Sequence, residues 1–193
     1  MAQVQESESR TATPGDLSIV QSFLNSVDLE EGREDFGTPS GLVAWIAGHG
    51  LAEPGYVPSE GDRLRAIEVR EGIRDLLLPH GGDDVPKGTA SRLNEAFGTV
   101  LLTPVFAEDD GLRLQPAGTG LDAVFGRLLQ IIYASSIEGT WQRLKVCRND
   151  ACRWAFYDAS KNRSGVWCTM ASCGSKMKAR SYRRRVRSSS RSP

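Results

Sequence analysis

The four cysteines of the chain, Cys147, Cys152, Cys168 and Cys173, fall within 27 residues in the pattern C-x(4)-C-x(15)-C-x(4)-C. Two close pairs across a longer spacer are what one tetrahedral zinc ion requires. Each pair forms a knuckle that directs two thiolates at one point, and the spacer lets the second knuckle fold back. A segment of about 40 residues buries too little apolar surface to fold unaided, so a metal has to organise it. Two disulfides are the competing pairing, and a reducing compartment disfavours them. That compartment is inferred from the rest of the sequence. The start, MAQVQESESRTATPGD, is polar and lacks an apolar h-region, and no run approaches the roughly 18 apolar residues of a membrane span. The chain is therefore expected in the cytoplasm, away from membranes, with residues 1–16 as a disordered leader. His49 and His80, the only histidines, lie far upstream, which favours a closed structural site of four thiolates.

The spacer supplies large rings to surround a metal: Trp154, Phe156 and Tyr157 in one cluster, and Trp167 beside Cys168. Core packing is their expected role, with base stacking the minor alternative. Asp158 and Asn162 read as turn residues of a hairpin joining a strand WAFYD to a strand VWC. The second cysteine pair then opens a helix near Ser172, giving a treble-clef-like order of knuckle, hairpin and helix. On that helix Lys176, Arg180, Arg183, Arg184 and Arg187 fall within an arc of roughly 100°. Lys178 adds charge outside it, and Ala179, Tyr182 and Val186 form an apolar seam expected to pack on the zinc module.

A net charge of zero hides a division of the chain. From Trp141 onward there are 14 Lys and Arg against Asp150 and Asp158, a net +12, while residues 1–140 carry 10 basic and 22 acidic groups, a net −12. Such asymmetry points to a polyanion as partner of the basic end, and lets the acidic part hold it back. The acidic part is patterned as helices. Leu17, Val20, Phe23, Leu24 and Val27 share one face, and Thr38-Pro39 starts a helix with Leu42, Val43, Trp45 and Ile46. Ser59 with Asp62 starts another that runs to Pro79, and residues 89–98 form a short one. TVLLTPVF and LRLQP around EDDG read as a hairpin with Pro104 at an edge. Leu121 to Ile137 is the strongest helix, closed by Gly139. The expectation is an α+β protein: a mostly helical domain with a β-hairpin over 17–140, a zinc module with a basic C-terminal helix over 141–187, and a disordered tail over 188–193. With no cysteine upstream of 147, the helical domain is expected to keep its helices when zinc is removed.

The segment CRNDACRWAFYDASKNRSGVWCTMASCGSKMKARSYRRR resembles the CGNR-type zinc finger. The matching positions are the four cysteines with Trp154, Phe156, Asp158, Ser160, Trp167, Met170 and Gly174. Ser175-Lys176 stands where that family has Asn-Arg, and Gly165-Val166 where it has an arginine pair. Lys176 keeps the charge but lacks the bidentate fork of arginine. FLNSVD and TPSGLVAWI resemble the start of the ABATE domain, which accompanies this finger in proteins described at family level as stress-induced transcriptional regulators. The resemblance implies zinc binding and, as a family-level expectation, DNA binding. The nucleic-acid contacts are then expected from Lys176, Lys178, Arg180, Arg183, Arg184 and Arg187. Alternatives are an RNA- or RNA-polymerase-binding zinc module, and an enzyme. The N-terminal domain would sense a ligand or dimerise, and Asn25, Asp28 and Trp45, with His49 nearby, are its candidate pocket residues. No nucleophile–base or metal-ligand set is visible among them, so the expected answer is a protein that is not an enzyme.

Overall fold

A computed structural model of the chain describes residues 13–108 and 111–189. Helix α1 (Leu17–Leu24) buries Leu17, Val20, Phe23 and Leu24 on one face. It stops three residues before its expected end, and Val27 instead joins a two-rung ribbon of β1 (Val27–Asp28) and β2 (Arg33–Glu34). Helix α2 (Pro39–Gly48) starts where Thr38-Pro39 places it, with the Thr38 hydroxyl accepting from the Gly41 N–H at 3.2 Å. Helix α3 (Glu60–Leu76) opens on a reciprocal capping box: Asp62 N–H donates to Ser59 Oγ at 3.1 Å, and Ser59 N–H to Asp62 Oδ2 at 2.8 Å. A 3₁₀ turn (Leu78–Gly81) carries Pro79, and α4 (Thr89–Ala96) returns against α3. That approach needs Gly72, because a Cβ there would lie 2.6 Å from Leu93 Cδ2.

The expected hairpin is β3 (Leu102–Ala107) paired antiparallel with β4 (Gly111–Pro116), in the register Leu102↔Pro116 to Ala107↔Gly111. Its tip is apolar and open, with Phe106 83% and Leu112 59% exposed. Helix α5 (Gly120–Glu138) is the central helix, burying Leu121, Val124, Phe125, Leu128 and Ile131 against α1 and β4. Around it Phe23, Phe36 and Trp45 meet with ring centroids 5.3–5.9 Å apart. Among the described residues no helix is long and apolar enough to cross a membrane.

After a 3₁₀ turn (Trp141–Arg143) the chain forms β5 (Leu144–Val146) and β6 (Ala155–Tyr157), antiparallel in the register Leu144↔Tyr157 and Val146↔Ala155. The strand partner of AFY is therefore LKV across the first cysteine knuckle. VWC, the expected partner, forms no strand. Its backbone instead braces the knuckle, with the Arg148 N–H donating to Val166 O at 3.1 Å. Alternation divides the ribbon between two cores. Leu144, Val146 and Ala155 belong to the same core as α1, α3 and α5, whereas Phe156 packs with the cysteines.

The last helix, α6 (Ser175–Ser189), follows a π-helical turn (Met170–Gly174). It runs into the expected tail, whose remaining residues 190–193 lie outside the described ones. Of the expected leader, residues 1–12 lie outside the described residues; Asp16 is tied by its carboxylate to Arg127 at 2.6 Å.

Candidate metal centre and basic helix

Two knuckles carry the cysteines. In the first, Cys147 N–H donates to Trp154 O at 2.9 Å, while Cys152 and Arg153 N–H both donate to Asn149 O, at 2.7 and 3.0 Å. Arg153 completes the turn with φ +49°, a left-handed conformation unusual for a side-chain-bearing residue. In the second, Thr169 caps the π-helical turn through Ser172 N–H at 3.2 Å, and Gly174 N–H donates to Thr169 O at 3.0 Å. Trp154 and Trp167 flank the cluster and Phe156 is buried beside it, the packing role expected of the rings.

All four cysteines are buried and free of disulfides, and their sulfurs lie within 4.8 Å of one another. Cys168 Sγ is 3.7 Å from both Cys152 Sγ and Cys173 Sγ. A tetrahedral zinc with Zn–S bonds of about 2.3 Å has S···S edges of about 3.8 Å, so the donor set has the dimensions the ion needs. A disulfide would need about 2.05 Å. Hydrogen bonds from Cys152 and Cys168 draw the Cys147 thiol down to about 2, and the same contacts, with burial, push Cys152 and Cys168 up. Without a cation these thiols share their protons, so that Cys147 alone gives its own up readily; a divalent ion lets all four be thiolates. The protein binds Zn2+ at this site. Native mass spectrometry is expected to show one zinc per chain, lost in Cys168→Ser; two disulfides in protein purified under reducing conditions would contradict it.

Two supporting groups escape the spacing argument. Asn149, 6% exposed, donates its amide to Cys173 Sγ at 3.4 Å and so links the knuckles. Its place two residues after the first cysteine was the available signal. Asp158, read as a turn residue, forms a buried pair with Lys145 at 2.8 Å. Lys145 also donates to the carbonyls of Arg163 and Gly165. Burial raises the Asp158 carboxyl, but Lys145 and the N–H groups of Ser160 and Gly165 outweigh it and hold it at about 2. The stabilisation from this depressed carboxyl is complete above the ordinary Asp range and is lost as pH falls through about 2. Gly165 fits this arrangement, since a Cβ there would stand 2.9 Å from the Asp158 carboxylate.

On α6, Lys176, Lys178, Arg180 and Arg183 are all exposed. The side chains of Arg184 and Arg187 lie outside the described residues, although the helix backbone includes both positions. Of the expected apolar seam, Ala179 is exposed and Tyr182 is 64% exposed, while the side chain of Val186 lies outside the described residues. From Lys178 to Arg183 every side chain of the helix is exposed.

The candidate pocket residues of the N-terminal domain have other duties. Asn25 Oδ1 accepts from Ala155 N–H at 2.8 Å and its amide donates to Ala155 O at 2.9 Å, pairing with β6 like an added strand. Asp28 Oδ1 accepts from Glu30 and Glu31 N–H at 3.0 and 3.1 Å. Trp45 is 7% exposed, donates to Ser22 Oγ at 3.2 Å and stacks on His49 at 4.2 Å. Two cavities among the described residues lie elsewhere. One of about 330 Å³ is lined by Pro14, Arg127 and Ser135, and a cleft of about 530 Å³ at the start of α5 by Glu53, Tyr56 and Asp122.

Compared with known families, residues 17–138, more than half the chain, match the model of the ABATE domain, described as "Putative stress-induced transcription regulator". Residues 143–186 match the model of the CGNR zinc finger. No curated protein matches the chain.

Proposed function

The chain belongs to the ABATE family and carries a CGNR zinc finger, and from that premise we propose that it is a cytoplasmic transcriptional regulator that grips duplex DNA with α6. The observation that carries the reading is the state of that helix. Fifteen residues long, about 22 Å, it leaves the metal centre with four described cations exposed and with Ala179 and Tyr182 uncovered. A helix so charged is stabilised when a polyanion lies along it. The zinc module fixes the direction in which it leaves the body. The N-terminal domain is the regulatory half in this reading. The cleft at the start of α5 offers room for a small ligand, and the open hairpin tip at Phe106 and Leu112 offers apolar surface to a second copy.

The test is the salt dependence of binding to duplex DNA, followed by fluorescence anisotropy on the full chain. Each phosphate neutralised contributes about −0.9 to the slope of log affinity against log salt, so four or five contacts give about −4. Replacing Arg183, Arg184 and Arg187 by Ala is expected to flatten it by about three units, with zinc content unchanged. Absence of binding at low salt would end the DNA reading, and binding confined to structured RNA would move the assignment to an RNA module. The isolated finger is a poor reagent, because Leu144, Val146 and Ala155 would lose the core that buries them.

A further inference from the structure

The first cation of the basic stripe is already occupied. Lys176 Nζ lies 2.8 Å from Glu30 Oε1, across 146 residues of sequence. Among the described residues of α6, Lys178, Arg180 and Arg183 form no ion pair. Both ends of the contact are held in place. Glu30 sits in the turn between β1 and β2, where the Asp28 carboxylate accepts the N–H groups of Glu30 and Glu31 and fixes the turn's shape. The turn is anchored below by Glu34, whose two carboxylate oxygens take both terminal nitrogens of Arg70 at 2.6 and 2.7 Å. Arg70 is 3% exposed and also donates to Ser26 Oγ at 3.0 Å. Lys176 comes three residues after Cys173, within the turn of α6 that the metal centre orients. A carboxylate tied to one core therefore faces an ammonium tied to the other.

We propose that the acidic turn 28–31 is a built-in competitor for nucleic-acid phosphate at the base of α6, so that Glu30 holds Lys176 back until a phosphate displaces it. The inference rests on the DNA reading above and concerns the regulation of that same surface. The contact also gives the −12/+12 division of charge a point of application, since it is where the acidic domain touches the basic helix. Lys176 is 62% exposed and Glu30 32%, so the pair is weak enough to be exchanged for phosphate. Movement of the β1–β2 turn would change how many cations the helix presents.

The experiment is a double-mutant cycle on the full, zinc-loaded chain, with duplex DNA affinity measured at several salt concentrations. Glu30→Gln is expected to tighten binding about two- to fivefold at low salt, the range of an exposed ion pair. In a Lys176→Gln background the same substitution is expected to have no effect. Glu31→Gln, which removes the same charge one residue away, is the control. An equal gain from Glu31→Gln, a gain that persists without Lys176, or no gain at all overturns the proposal while leaving DNA binding standing. If no variant binds nucleic acid at low salt, the functional reading falls and the proposal with it.

Discussion

Removing zinc is expected to destabilise the helical domain together with the finger. The inner face of the β5–β6 ribbon is part of the N-terminal core: Leu144 and Ala155 are fully buried there and Val146 is 6% exposed. A two-stranded ribbon of three residues a side has no independent stability. What closes it is the knuckle between Val146 and Ala155, and what sets the knuckle is the metal. Releasing Leu144 and Val146 to water forfeits about 4 kcal/mol of burial. For a chain of this length that corresponds to a fall in melting temperature of about 8–16 °C. The metal has the means to exert such control, since structural zinc contributes about 10–16 kcal/mol of apparent binding free energy. Circular dichroism of the full chain, melted with and without a chelator, measures it. A melt of the N-terminal helices unchanged by chelation, with signal lost only in proportion to α6, would show that the domain stands alone.

This is the reverse of what the cysteine positions suggest, and the difference shows what was legible. The spacing of Cys147, Cys152, Cys168 and Cys173 states the metal because thiolate geometry is local to each knuckle. Thr38-Pro39 and Ser59 with Asp62 state two helix starts for the same reason: a cap satisfies backbone groups within three residues. The β3–β4 hairpin announces itself through EDDG. Hidden from the sequence were polar groups whose burial depends on distant partners. Lys145 lies in a segment too short to show alternation, and its carboxylate is 13 residues away. Asn25 is a candidate pocket residue from the sequence, yet its partner is the backbone of Ala155, 130 residues on. Arg70 and Arg74 read as the polar side of α3, although they share a stripe with Ala66 and Ile73, which is buried. Apolar periodicity treats an arginine as solvent-facing, and only a carboxylate or carbonyl supplied from elsewhere reverses that. Ala179 and Tyr182 of α6 are the opposite case, apolar spacing without burial.

Arg74→Met is expected to cost about 3 kcal/mol of stability and to weaken zinc binding, although Arg74 touches no cysteine. Its guanidinium is 2% exposed and joins three parts of the molecule. Nη1 donates to Arg153 O at 2.6 Å, Nη2 to Leu24 O at the end of α1, and Nε to Glu71 Oε2 at 3.0 Å. Methionine matches much of the volume, so the loss is one of pairing and not of packing. The buried carbonyl of Leu24 would lose this donor at about 1–3 kcal/mol, and the half-buried carbonyl of Arg153 would lose its own. Glu71 would keep Arg70 at 2.9 Å, which places the total near the lower end of the ~3–5 kcal/mol typical of breaking a buried ion pair. Lysine would be no remedy, because a single ammonium cannot reproduce the fork that reaches all three acceptors. The effect on zinc arises because Arg153 follows Cys152 and holds a left-handed backbone conformation inside the knuckle. Without Arg74 its carbonyl is free to turn, and the knuckle loses a fixed edge. Urea unfolding of the zinc-loaded chain measures the first effect, and competition with a chromophoric chelator measures the second. A stability loss below about 1 kcal/mol with zinc affinity unchanged would mean that α3 does not tie the finger to the helical domain.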